Sequence, residues 1–238
     1  MLAWVVLASL AAAENGSGTI SGTVRLVGAP PPIPRVAHAQ DLEVCGGESR
    51  SSQSLRLGTN QVVMDAIVYL EAAASRELPA VGASPGLLEA RDCELVPRVQ
   101  FARDGTPRLI IKNNDPLFYA LRVESLNGTN AVRPMLTVAA PYAGYERSCE
   151  LGSFGRPTLL RVTESNGHPW MIAYIAVLPH PWADLTDEAG TFKLQNVPAG
   201  VRKLCVWHEV LGTLVRQIKV NGGRATNVDL EFTSTTRK

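Results

Sequence analysis

The stretch Thr163-Glu-Ser-Asn-Gly-His-Pro-Trp-Met171 decides how this chain is read. It follows Arg156-Pro-Thr-Leu-Leu-Arg-Val162 and leads into Ile172-Ala-Tyr-Ile-Ala-Val177, two apolar runs of strand character. Between them Ser, Asn, Gly and Pro crowd together, which is turn composition. His168 and Met171 stand at i and i+3. Such a pair holds a metal only weakly by itself, so taken alone the stretch is structural: His168 caps the turn while Trp170 and Met171 open the next core strand.

Working outward, the signals are almost all β. About fifty residues earlier, Asn113-Asn-Asp-Pro-Leu-Phe-Tyr119 is a second turn. It follows strand runs at Val99-Gln-Phe101 and Arg108-Leu-Ile-Ile-Lys112, which an Asp104-Gly105 hairpin is expected to join. Upstream, Gly18–Val27 and Val62–Leu70 read as strands, separated by the rigid Ala29-Pro-Pro-Pro-Ile-Pro34 segment. Residues 72 to 92 lack sustained periodicity and read as a loop with at most one short helix near Leu87 and Leu88. Downstream, Leu214–Val220 and Ala225–Phe232 flank Asn221-Gly-Gly, a hairpin signal. The fold class is all-β.

From Cys93 to about Leu178 this order of features resembles the periplasmic cupredoxin-like proteins. Their C-terminal ligand loop runs Cys-x-x-His-x-Trp-Met, and their first histidine follows an Asn-x-Asp-Pro turn. The resemblance implies a Greek-key β-barrel or sandwich, with the copper positions falling on Tyr119, Ser165, His168 and Met171. A type 1 copper site takes two imidazoles, a thiolate and a weak axial thioether. A serine hydroxyl stays protonated at neutral pH and offers no soft donor. The expectation is therefore a degenerate copper site and no cofactor, with copper as the alternative. The resemblance also implies an apolar docking face at the ligand-loop end, to which Leu117, Phe118, Tyr119, Pro169, Trp170 and Met171 would contribute.

The tail differs. Thr186-Asp-Glu-Ala-Gly-Thr-Phe-Lys-Leu-Gln-Asn-Val-Pro-Ala-Gly200, followed by Leu204-Cys-Val-Trp207, resembles the carboxypeptidase regulatory-like, transthyretin-type β-sandwich. Asp187 is suited to an Asx turn and Gly190 to the open corner, and Val197-Pro-Ala-Gly200 reverses the chain. The Gly-x-Val and Ala-x-Val-x-Leu strands that normally precede this turn occur at Ile20–Val27 and Ala66–Leu70. The organisation expected is thus a discontinuous regulatory-like sandwich carrying an inserted cupredoxin-like domain. Residues 1–13 are a signal-like segment, 14–75 the first sandwich strands, 76–92 a linker, 93–178 the cupredoxin-like domain and 179–238 the rest of the sandwich.

The apolar run Met1–Ala13 before Glu14 reads as a secretory signal, although no Lys or Arg precedes it. As a helix a dozen residues reach only about 18 Å, against a bilayer core of about 30 Å. A periplasmic or extracellular location is expected, with membrane association through a partner. The four cysteines then favour disulfides, with three possible connectivities. Cys45 with Cys93 is preferred, since Cys45-Gly-Gly and Asp92-Cys-Glu are loop-like contexts flanking the same strand. Net charge +1 over 238 residues, with no Lys/Arg cluster, argues against a nucleic-acid partner.

Catalysis finds little support: there is no Gly-x-Ser-x-Gly elbow, and the regulatory-like resemblance carries no peptidase domain. His180 and His208 would join His168 at a metal only if the two domains face one another. Asp184, Asp187 and Glu188 read as a solvated acidic turn without calcium-loop spacing, and His38 gives no signal. The function expected is that of a non-catalytic docking or structural subunit, whose partner is a periplasmic cytochrome or a membrane-bound respiratory or photosynthetic electron-transfer complex. The alternatives are a copper carrier or chaperone, and a cell-surface adhesion or carbohydrate-binding module.

Overall fold

The computed structural model describes residues 16–33, 35–38, 40–47, 49–71, 85–103, 108–127 and 131–233. The signal-like segment, residues 72–84 and the Asp104-Gly105 turn lie outside these. The architecture is all-β, two sandwiches side by side, each built from a pair of sheets.

In the first sandwich, β1 (Ser17–Val27) alternates without a break, so that Gly18, Ile20, Gly22, Val24 and Leu26 face inward. It pairs antiparallel with β15 (Thr191–Pro198) and parallel with β18 (Ala225–Asn227) and β19 (Leu230–Thr233). The facing sheet has the order β14 (Ala183–Leu185), β4 (Ile67–Leu70), β16 (Gly200–His208), β17 (Gly212–Val220). Ile20, Val24, Phe192, Leu204, Val206 and Phe232 are among the buried side chains that fill the space between the sheets. Strands from both ends of the chain therefore close one core. The turn after β14 is the Asx turn expected: Asp187 accepts backbone N–H bonds from Ala189 (2.9 Å) and Thr191 (2.8 Å) and the Thr191 hydroxyl (2.6 Å). Gly190 sits at φ +68, where an added Cβ would meet Val62 at 2.6 Å.

The second sandwich has a five-stranded sheet in the order β10 (Ala131–Ala140), β9 (Tyr119–Asn127), β12 (Thr158–Glu164), β13 (Ile172–Leu178), β7 (Val99–Arg103). Its partner sheet runs β11 (Tyr145–Glu150), β8 (Arg108–Asn113), β5 (Gly86–Arg91), β6 (Glu94–Val96). β13 is buried along nearly its whole length, and its two faces explain why it reads as a continuous apolar run. Ala173, Ile175 and Val177 face the core of this sandwich, while Ala176 and Leu178 pack with Ile67 and Val99 against the other. The Arg98 guanidinium, just before β7, donates to both carboxylate oxygens of Glu209 (2.7 and 2.8 Å) and so ties the two halves together.

Three expectations need correction. The stretch read as loop and linker contains β5, which pairs with β6 and β8. Val99–Arg103 and Arg108–Asn113 do not form a hairpin, because β7 pairs parallel with β13 and β8 with β11 and β5. Nor do the strands flanking Asn221-Gly-Gly pair with each other: β17 lies against β16, and the chain crosses to the opposite sheet, where β18 joins β1. A short helix does occur, but at Leu42–Cys45 (α1), between β2 (Arg35–Ala37) and β3 (Ser49–Ser51). No helix among the described residues is long and apolar enough to cross a membrane.

Candidate functional site

At one end of the second sandwich three loops converge: the Asn113–Tyr119 turn between β8 and β9, the Ser165–Met171 loop between β12 and β13, and the α1 loop. The first is built by its own side chains. Asn113 is fully buried; its Nδ2 donates to the Leu117 and Ala140 carbonyls (2.7 and 3.0 Å) and its Oδ1 accepts the Asp115 N–H (2.9 Å). That fixes Asp115, whose carboxylate accepts the N–H groups of Asp92 (2.8 Å) and Cys93 (3.0 Å) and the Tyr119 hydroxyl (2.7 Å). Asp92 and Cys93 both lie at positive φ (53 and 57), a backbone L-residues seldom adopt, and the carboxylate is what their two donors converge on.

Tyr119 is fully buried, and burial, then its bond to Asp115, holds its hydroxyl well above the ordinary tyrosine range, so it acts as a donor at neutral pH. Its ring meets His168 edge-on at 5.3 Å between centroids. Glu164 anchors the next loop. Its side chain is fully buried, and its carboxylate accepts the N–H groups of Ala120 (2.9 Å), Asn166 (2.7 Å) and His168 (2.9 Å). Ser165, one residue on, points the other way: it is exposed and its hydroxyl donates to the Ala120 carbonyl at 3.0 Å. The period of two along β12, with Leu160, Val162 and Glu164 inside, dictates this.

The disulfide Cys45–Cys93 fastens α1 to the turn between β5 and β6. Asp41 precedes α1 without capping it, and its Oδ2 instead lies 3.1 Å from His168 Nε2. Nδ1 of the same ring is 3.6 Å from Glu164. Neither approach has hydrogen-bond geometry, so both nitrogens of an imidazole only 1% exposed are left without a hydrogen bond. Trp170 packs edge-on to His168, donates to the Cys93 carbonyl (3.0 Å) and carries His38 stacked on its ring at 4.5 Å.

The structure thus brings together Tyr119, His168 and Met171, all buried, with the Cys45–Cys93 bridge, and turns Ser165 outward. Of the residues read as a docking face, Phe118 and Pro169 are exposed, Leu117 and Trp170 half-buried, and Tyr119 and Met171 inside. His180 and His208 lie elsewhere with partners of their own: His180 Nε2 donates to the Leu70 carbonyl (2.9 Å), and His208 Nδ1 accepts the Val210 N–H (3.2 Å). Sequence reasoning missed Asp115, Glu164, Asp41 and His38. Alternation along β12 was a signal for Glu164 and the Asn-x-Asp-Pro turn for Asp115; nothing local marked Asp41 or His38. Cys45, Cys93 and His168 are the grouping of potential metal donors among the described residues. Beside Trp170 a cleft of about 470 Å³ opens between the sandwiches, with Arg56, Asp65, Arg98 and Glu209 in its walls.

No protein-family model matches this sequence, and no curated protein sequence does either. Among solved structures, a purple cupredoxin from Nitrosopumilus maritimus is similar over 39% of this chain and 98% of its own length, at 11% identity and a TM-score of 0.30. A reduced amicyanin variant is similar over 48% of this chain and 98% of its own, at 11% identity and a TM-score of 0.30. For a copper-containing nitrite reductase from Thermus scotoductus the figures are 45% of this chain and 25% of that chain, 15% identity and 0.30. The all-β sandwich architecture rests on the strands described above.

Proposed function

We propose that this chain is a non-catalytic, exported, cupredoxin-like β protein whose former copper end now serves as a docking face. The regulatory-like sandwich is its rigid neighbour. The observation that carries the reading is the donor set at that end. Of the four positions matched to copper ligands, Tyr119 spends its hydroxyl on Asp115, Ser165 faces solvent, and only His168 and Met171 keep donor types suited to the metal. The sulfurs nearby are joined in a disulfide, which lacks the thiolate that type 1 copper needs. The donors present therefore do not fit that centre, and the same end carries exposed Phe118 and Pro169, with Tyr142 and Leu42 on adjoining loops. An apolar partner surface on a periplasmic cytochrome or electron-transfer complex is the class of occupant this face suits.

The experiment is purification of the native assembly from the source membrane and periplasmic fraction with wild-type protein and with Phe118→Glu. A partner of that class retained stoichiometrically by the wild type and lost by the folded variant supports the reading. Equal retention by both, or no partner for either, overturns it.

A further inference from the structure

We propose that Cys45, Cys93 and His168 form a redox-gated zinc site: closed to metal while the disulfide stands, and open to one Zn²⁺ once it is reduced. The inference is independent of the docking reading. One sulfur from each cysteine and a ring nitrogen of His168 lie within 4.8 Å of one another, all three residues buried. Two thiolates and an imidazole are a donor set typical of zinc, with water in the fourth position. Asp41 Oδ2 stands 3.1 Å from His168 Nε2, at the edge of the site but outside that grouping.

This assignment also accounts for the histidine. Both ring nitrogens of His168 are left without a hydrogen bond, at 1% exposure. With zinc on one ring nitrogen the proton resides on the other, and a carboxylate lies beside each, Asp41 3.1 Å from Nε2 and Glu164 3.6 Å from Nδ1.

The chemistry balances as thiol–disulfide exchange followed by metalation. A dithiol donor gives two electrons and two protons to the Cys45–Cys93 bond, becoming a disulfide itself and leaving two thiols. Zn²⁺ then displaces those two protons as it binds the thiolates.

The test uses the full chain in a Cys149→Ser/Cys205→Ser background, which removes the two buried free thiols. The disulfide is opened with a phosphine, which is removed without oxygen before metal is added. Zinc uptake is then measured against a chelating dye, with Co²⁺ as a spectroscopic probe. Expected are one zinc per reduced chain, none for the oxidised chain, a thiolate-to-cobalt charge-transfer band, and loss of uptake in Cys93→Ser and His168→Gln. His168→Gln keeps the disulfide, so its fold is checked in the oxidised state. Four results would each overturn the proposal: no uptake by the reduced chain, equal uptake by the oxidised one, uptake undiminished in Cys93→Ser, or a reduced chain that loses its near-ultraviolet circular dichroism and does not regain it with zinc.

Discussion

Acid should loosen this protein through His208, and the size of the effect follows from its surroundings. The ring is buried at the end of β16, its Nδ1 accepts the Val210 N–H, and the nearest charged groups are the Arg98–Glu209 pair, with Arg56 and Asp65 beyond. Burial first, and the positive charge of Arg98 second, push its pKa down from 6.5 to about 4. Protonating Nδ1 would also set one N–H against another. Because the folded pKa lies below the unfolded one, the unfolded chain takes up the proton first. The stabilisation is complete above pH 6.5 and is lost as pH falls toward 4. At about 1.4 kcal/mol per unit, the loss is about 2 kcal/mol by pH 5 and about 3 kcal/mol at and below pH 4. His180, shifted down by burial, adds in the same direction. Urea unfolding followed by tryptophan fluorescence at pH 8 and pH 5 measures it, with His208→Asn as the comparison because its side-chain oxygen keeps an acceptor near Val210. The variant should lose most of the pH 8 to pH 5 difference. An undiminished difference in the variant would refute the reasoning.

Other consequences are as concrete. Replacing Asp115 with Asn leaves one of three donors facing an amide N–H and should cost about 1.5–3 kcal/mol, seen as a lower urea midpoint. Removing the disulfide as Cys45→Ala/Cys93→Ala frees a loop of sequence separation 48. On the chain-entropy account this costs about 4 kcal/mol, a drop of about 8–16 °C in Tm. A calorimetric Tm within about 2 °C of wild type would contradict the role of the bridge. Gly22→Ala drives a methyl into the Val228 carbonyl where β1 passes from β18 to β19, and should destabilise by about 1–3 kcal/mol in thermal unfolding.

Much of the fold was legible because the residues obey simple periods. β1 alternates strictly, the Asp187 turn carries its own Asx chemistry, and Cys45 with Cys93 lay in turn-like contexts. β5 was hidden because its inward positions are Gly86, Leu88 and Ala90, while Leu87 faces out, so small residues mask the alternation. The two mistaken hairpins share a cause: turn residues report a reversal of direction but not which sheet receives the next strand, and here long-range pairing with β13 and β1 prevails. At the site, Tyr119, His168 and Met171 were found by motif spacing. The motif also placed Ser165 among them, whereas the pleat of β12 turns Glu164 inward. Asp41 and His38 reach the site only through tertiary contacts, which no local pattern encodes, and Asp115, visible in its turn motif, meets Asp92 and Cys93 the same way.

The central claim, that this end of the sandwich is not built for type 1 copper, is tested most directly by adding Cu²⁺ to the oxidised chain, removing loose metal, and recording metal content with the visible spectrum. The account predicts no copper retained in stoichiometric amount and no intense thiolate-to-copper band. One copper per chain with that band would contradict it.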